Sequence, residues 1–362
     1  MRTSPFYIWA CLFLLTACVQ EKGATSFPPY PQEKGVSAPF AGFMGDTLIV
    51  AGGCNFPDTP AAEGGKKKFY ASAYAIDIRQ AANGWKPLAS LPAPLAYGAC
   101  VATPKGLVCI GGQNDQGAQA GTFLLNAQGN ATALPPLPAS IDNGGAALSG
   151  HTVYATGGNQ PDGGKALYAL DLNADTLAWT RLADYPGPQR VQPIVIAGPN
   201  MLYLIGGFAF DADTKVCTPS TDMLHYDIAS DSWSQLDTLV SEQDGTPRCL
   251  AGGSGVLKDN KLILTGGVNH DIFRQAMEGK GPADYMKKPA EWYRFNDDLL
   301  VYDLDTRTWE VTYDVSGLAR AGGILLEHEG LLYMICGETK PGIRTPQITV
   351  LPLGAHADTC TP

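Results

Sequence analysis

The chain has 362 residues, of which 42 are Gly and 27 Pro, and a formal net charge of −10. That glycine and proline content excludes an architecture of long helices and suits many short strands joined by turns. No basic block that could follow a phosphate backbone interrupts the acidic balance, which excludes nucleic acid as a partner, although a few arginines converging in a cleft can still bind a small anion.

Met1 to Ala17 stands apart. Arg2 precedes an apolar run, Phe6-Tyr-Ile-Trp-Ala-Cys-Leu-Phe-Leu-Leu15, and Thr16-Ala17-Cys18 follows. This is the size and order of an export signal, too short for a spanning helix. Leu15-Thr16-Ala17-Cys18 resembles the bacterial lipobox, after which Cys18 is lipid-modified and becomes the first mature residue; ordinary cleavage near Ala17 is the alternative. The expectation is an exported, periplasmic, membrane-anchored lipoprotein of a Gram-negative bacterium, with residues 18–362 as one domain. Loss of Arg2 turns 25 basic residues into 24 against 35 acidic ones, a formal charge of −11.

Beyond the signal, apolar strands end repeatedly in Gly-Gly: Leu48 to Gly53, Leu107 to Gly112, Val153 to Gly158, Leu202 to Gly207 and Leu262 to Gly267. A sixth, Leu331 to Ile335, ends in Cys336-Gly337 instead. A second signature recurs between these marks, a strand ending in Asp followed by a Trp strand, as in Tyr74 to Asp77 with Trp85, Leu167 to Asp171 with Trp179, and Leu224 to Asp227 with Trp233. The spacing is near the roughly 50-residue period of kelch repeats. Four-stranded units cannot bury both faces alone, and packing them around an axis solves this. The expected fold is therefore all-β, a six-bladed kelch-type β-propeller; two unrelated β-sandwiches would leave the sixfold recurrence unexplained. The last unit runs out before a Trp strand. The segment around Ala24 to Tyr30 is expected to complete it as an edge strand, its prolines limiting the pairing.

Seven cysteines remain beyond Cys11 and Cys18, with no CxxC or Cys/His spacing that suggests zinc. Cys100, Cys109 and Cys336 fall in apolar strands and read as small buried hydrophobes. Cys217 with Cys249 could pair in an oxidising compartment. Two insertions are long, one after Gly53 through Lys66-Lys-Lys68, read as a solvated turn, and one from His270 to Arg294 with short helical segments; insertions of such length are usually functional or mobile.

In such a ring the loops after the Gly-Gly marks and the residues opening each inner strand share one mouth of the channel. The first group brings Asn55, Asn114, Asn159, Asn269 and Glu338 there. The second brings Arg190, Gln192, Arg248 and Arg320, with Tyr97 and Asn143. Guanidinium matches a carboxylate bidentately and asparagine serves hydroxyls, so an anionic, polyhydroxylated ligand fits. Glu338 follows the one broken Gly-Gly mark. It has two readings: a catalytic carboxylate, or a salt bridge with Arg344 that pins the Lys340-Pro341-Gly342 turn. His270, Asp271 and Glu291 read as local loop and surface groups.

These residues carry a resemblance. Gly337-Glu338-Thr-Lys-Pro-Gly-Ile-Arg344-Thr345 resembles the Gly-Glu-Ala-Lys-Pro-Gly-Leu-Arg-Thr segment of the bacterial N-acetylneuraminate epimerases (sialic acid mutarotases). Gly266-Gly-Val-Asn269, Asp271-Ile-Phe273, Ala290-Glu-Trp-Tyr293-Arg-Phe-Asn296, Arg190-Val-Gln192 and Leu95-Ala-Tyr97-Gly98 resemble further family segments. The likeness covers essentially the whole mature chain, in a cyclically permuted unit order, with the catalytic segment near the C-terminus rather than mid-chain. It implies a catalytic Glu338 with an essential Arg344, and a substrate site including Arg190, Gln192 and Asn269. Arg248, Arg320, Tyr97 and Asn55 join the substrate-binding set as residues of the same mouth. Leu95 stands where the family has arginine, and Arg248 and Arg320 where it lacks one, so the anion-binding arginines would be redistributed or the sugar would differ.

The expected reaction is interconversion of α and β anomers of N-acetylneuraminate or a related sugar acid by ring opening and closure, Glu338 serving as base and then acid. It requires no redox cofactor and no metal. The alternatives are a glycan-binding propeller without turnover and a mutarotase for another sugar. The expected partners are a small anionic sugar and, through Cys18, a membrane.

Overall fold

The computed structural model describes residues 27–161 and 163–353, so the export signal, Cys18, the first residues of the segment from Ala24 to Tyr30, and Cys360 lie outside the described residues. The strands form six antiparallel sheets around an axis, each running from an inner strand outward. Blade 1 comprises Phe40–Met44, Thr47–Ala51, Ala73–Asp77 and Lys86–Pro87. Blades 2 to 5 repeat the order, opening at Ala99, Gly145, Ile194 and Gly253. Blade 6 has three assigned strands, Ile324–His328, Leu331–Ile335 and Ile348–Pro352. The hydrophobic cores lie between blades: Phe40, Ile49 and Leu107 join blades 1 and 2, and Leu48, Val50, Tyr333 and Ile348 join blades 1 and 6. No blade can be removed without exposing two of these layers.

Phe27 to Tyr30 occupies the outer edge of blade 6 without forming a strand. Tyr30 donates its backbone N–H to Pro346 O at 2.8 Å; Pro28 and Pro29 have no N–H to add. The position is nevertheless that of an outer strand. Trp179 Nε1 donates to Pro135 O, and Trp233 Nε1 to Ala183 O, each reaching back to the end of the preceding blade's outer strand. Trp85 Nε1 does the same to Pro28 O at 3.1 Å. Tyr30 is buried among Tyr74, Trp85 and the blade 6 strands. The expected completion therefore holds in place and packing, with side chains doing what a ladder does elsewhere.

The Gly-Gly marks are latches between blades. The second glycine donates its N–H to the residue opening the next blade: Gly53 to Leu95 O, Gly112 to Ile141 O, Gly158 to Arg190 O, Gly267 to Arg320 O, and Gly337 to Val36 O, which closes the ring. A Cβ on Gly158 would stand 2.2 Å from Asp142 O, and its φ is +74°. Cys336, in place of the first glycine, adopts φ +52°. Two residues further into each blade, Ala38, Tyr97, Asn143, Gln192, Gly252 and Gly322 all take left-handed φ between 51° and 73°. Each donates its N–H to the carbonyl of its counterpart in the preceding blade, at 2.7–3.1 Å, and Ala38 closes the circle on Gly322. This collar surrounds the mouth of the channel.

Ala at position 158 must both take a left-handed φ and displace backbone. Gly158→Ala should cost about 3 kcal/mol or more. Gly150→Ala, where φ is +58° and nothing stands within 4 Å of the added Cβ, should cost only the conformational term of about 1–2 kcal/mol. Equal losses of Tm for the two variants would refute the latch.

Candidate functional site

Immediately after Cys336-Gly337, Glu338–Lys340 and Ile343–Arg344 form a short bulged hairpin closed by Pro341-Gly342. Glu338 Oε1 accepts the Gly342 N–H at 2.7 Å, and Glu338 Oε2 lies 3.1 Å from Arg344 Nη2. The turn-pinning ion pair is thus real, but the carboxylate also faces a cavity of about 330 Å³ with Tyr97, Gln192, Asn269, Phe273 and Tyr285. About a fifth of the Glu338 side-chain surface stays open, against 3% for Arg344. Burial raises the Glu338 pKa above the ordinary carboxylate value; Arg344, the Gly342 N–H and Lys67 oppose it.

Arg344 is held flat over the Phe56 ring, 4.8 Å from its centroid. Its Nε and Nη1 are buried without a hydrogen-bond partner among the described residues. A buried guanidinium with two unspent nitrogens is costly unless something accepts from it. Carboxylate oxygens do so best, since the fork matches them.

The blade 1 insertion reaches the site through Tyr97, which lines the cavity. Lys67 Nζ donates to Tyr97 Oη at 2.9 Å and lies 4.7 Å from the centroid of that ring; Cys54 Sγ donates to the same oxygen at 3.2 Å. Burial pushes the Tyr97 hydroxyl well above its usual pKa, so it stays a neutral phenol. The blade 5 insertion supplies the rest: the helix His270–Met277, capped by the Asn269 side chain accepting from Ile272 N, brings Phe273 over the cavity. Lys340 Nζ donates to Lys288 O, fastening the hairpin to that insertion. Lys67 is a correction to its reading as part of a solvated turn: Lys66 and Lys68 are exposed, but Lys67 points inward. The length of the insertion was the only signal.

The anticipated substrate residues divide. Tyr97 and Gln192 line the cavity, Gln192 also donating to Asn143 Oδ1 at 3.0 Å. Asn269 lines it while its polar atoms serve the helix cap and Glu242. Asn55 is spent on Gly35 O and the Tyr70 hydroxyl and is 3% exposed. Arg190 Nη2 donates to both carboxylate oxygens of Asp222, at 2.8 and 2.9 Å, and Nη1 to Gly206 O, while Nε has no partner among the described residues. Arg248 meets Asp298 at 2.8 Å, with Val240 O and Asn296. Arg320 donates to Met334 O, Cys336 O, Gln347 O and Thr349 Oγ1; burial without a carboxylate lowers its pKa to about 10, which leaves it a cation at neutral pH. These three arginines clamp blades internally and do not meet Glu338. Arg190 and Arg320 occupy the ring position held elsewhere by Val36, Leu95 and Ile141, all buried. That position faces the interior, so Leu95 marks a packing change and not a lost anion contact. Cys217 and Cys249 are buried free thiols.

The family model for N-acetylneuraminate epimerase matches residues 134–360. The chain belongs to the N-acetylneuraminate epimerase family. It is 32% identical over 238 residues to the N-acetylneuraminate epimerase of Haemophilus influenzae (strain 86-028NP), covering 62% of this chain and 60% of that one. It is 29% identical over 238 residues to the protein of the same name from Salmonella typhi, covering 63% and 60%. The chain thus matches about three fifths of the length of these curated relatives. The solved structure of YjhT superposes with a TM-score of 0.64 over 90% of this chain and 99% of that one at 18% identity, a likeness of fold.

If the clamp arginines are architectural, Arg248→Met should destabilise the protein by about 3–5 kcal/mol, because Asp298 is left nearly buried and unpaired. The measurement is chemical denaturation alongside ligand titration. Unchanged stability with weakened ligand binding would return Arg248 to the site.

Proposed function

We propose that the chain interconverts the α and β anomers of N-acetylneuraminate or a close sugar acid. The observation that carries this is a carboxylate whose pKa burial raises, facing a cavity on one side and ion-paired with a buried guanidinium on the other. The family membership supplies the sugar. Glu338 removes the proton of the anomeric hydroxyl as the ring C–O bond breaks and the carbonyl forms, and delivers that proton to the ring oxygen, which becomes a hydroxyl. After rotation about the bond to the carbonyl carbon, Glu338 takes the proton back from that hydroxyl as its oxygen adds to the other face, and returns it to the anomeric oxygen. The reaction is its own reverse, so one carboxyl group serves as base and acid. Arg344 orients the Glu338 carboxylate, and reaches the substrate carboxylate with Nε and Nη1 only once the contacts that cover them open. Tyr97, oriented by Lys67, and Gln192 stand where hydroxyls of the sugar would fall. No electrons are exchanged, so the chemistry calls for neither a redox cofactor nor a metal.

The cyclically permuted blade order is part of the same reading. A rotated ring superposes blade on blade at low identity over nearly the whole chain, while a collinear sequence match covers only part, as the 90% and 62% coverages do. The apolar run before Cys18 likewise supports a lipoprotein of the periplasm.

Anomer exchange of freshly released α-N-acetylneuraminate, followed by NMR, should slow by about 10²–10⁴-fold in Glu338→Gln. The base form is required, so exchange should fall as pH drops through the Glu338 pKa. That fall should lie above the value near 4.3 of a free glutamate, and should move higher still in Arg344→Met at saturating sugar, because the opposing charge is gone. Ligand binding with no acceleration by the wild type would leave a sugar-binding propeller in place of the enzyme. Separately, Cys18→Ser should shift the protein from the membrane to the soluble periplasmic fraction, and an unchanged distribution would exclude the lipid anchor.

A further inference from the structure

On the face opposite the Glu338 cavity, the tight turns between first and second strands bring Asp46 of blade 1 beside His328 and Glu329 of blade 6. One ligand atom from each of the three lies within 4.8 Å of the others. His328 Nε2 is 2.9 Å from Asp46 Oδ1. The imidazole is stacked on Phe43, centroids 4.5 Å apart and planes at 21°, which holds that nitrogen toward the carboxylate. Arg79 lies between the acids, its Nε 3.2 Å from Asp46 Oδ2 and its Nη2 on Glu329.

We propose that Asp46, His328 and Glu329 bind a divalent transition metal of the zinc class across the seam that closes the ring. One imidazole and two carboxylates, open to water for a fourth position, suit Zn²⁺ better than Mg²⁺ or Ca²⁺, which prefer oxygen alone. Ligands 2.0–2.2 Å from a tetrahedral ion stand roughly 3.3–3.5 Å from one another; the His328–Asp46 separation is already close to this, and Glu329 needs a side-chain rotation at the surface. Arg79 is the resident cation that the metal displaces. Its side chain is 55% exposed, so it can swing into solvent. The two carboxylates it now neutralises would then be neutralised by the ion. The location gives the ion a purpose, since blade 6 has three strands among the described residues and is joined to blade 1 along this seam. An ion bound only by the folded ring stabilises it by linkage.

The test uses the untagged, metal-stripped full mature chain with Zn²⁺ and with Mg²⁺, read by isothermal titration, by Tm, and by the visible spectrum of a Co²⁺ substitute. The expected result is saturable binding of one Zn²⁺ per chain with a rise in Tm, no such response to Mg²⁺, and loss of both in His328→Ala. Glu329→Gln provides the same reading if His328→Ala does not fold. Arg79→Ala should bind Zn²⁺ more tightly than the wild type, because the competing guanidinium is gone; a purely ionic surface cluster would show no such gain. Anomer exchange should be unchanged by metal removal, which separates this site from the Glu338 cavity. Absence of saturable zinc binding in both the wild type and Arg79→Ala, or binding that survives His328→Ala and Glu329→Gln, overturns the proposal.

Discussion

Six backbone hydrogen bonds running head to tail around the channel mouth determine where every side chain of the cavity can stand. Each requires a left-handed residue at the same point of its blade, a conformation that costs an ordinary side chain roughly 1–2 kcal/mol. Tyr97, Asn143 and Gln192 bear that cost on one side of the ring, while Gly252, Gly322 and Ala38 leave the other side nearly bare. The collar is thus symmetric in its backbone and lopsided in its side chains. The cavity lies over the bare side, where blades 5, 6 and 1 meet, and the blade 5 insertion roofs it. A site at one edge of a symmetric mouth follows from which collar residues have side chains.

The Glu338 hairpin shows how a structural device and a chemical one can be the same object. The carboxylate accepts from Gly342 and Arg344, and so fixes a tight turn. The same two contacts oppose the burial that raises its pKa. Arg344 gives one nitrogen to Glu338 and keeps two others free, facing Phe56 instead of water. The pair is therefore fixed in geometry before any ligand arrives, with two guanidinium nitrogens unspent beneath the surface.

Much of the fold was legible because it depends on backbone constraints that leave a mark in residue type. Gly-Gly recurs since the latch needs positive φ and tolerates no Cβ, and the Trp strands recur since each indole reaches back to the preceding blade. Even the seam could be placed, because Pro28 receives the hydrogen bond that Pro135 and Ala183 receive elsewhere. The site was legible only where it coincided with a break in that pattern, at Cys336-Gly337-Glu338. Arginine carries no such mark. Arg190, Arg248 and Arg320 were reasonable ligands for an anion by type and by proximity to the mouth, yet each is consumed by Asp222, Asp298 or backbone carbonyls. The direction of a side chain at the opening of a blade depends on the neighbouring blade, which a linear pattern does not specify. Lys67 failed in the opposite direction, since one inward residue in a run of three lysines has no signature of its own.

The distribution of arginines also bears on how a family can change its architecture while keeping its chemistry. Arg190 and Arg320 occupy a ring position that Val36, Leu95 and Ile141 fill by apolar packing, so the position accepts either an aliphatic plug or a guanidinium clamp. Exchange between the two alters the interior of a blade joint and leaves the mouth untouched. The Glu338–Arg344 hairpin, by contrast, lies within one blade and carries its own geometry with it. A ring opened at a different joint, with its joints repacked by different arginines, can therefore retain the hairpin intact as long as the collar holds the facing residues. In this molecule the Glu338 hairpin belongs to one blade and its closure against the next, and the collar carries Tyr97 and Gln192 to the same cavity.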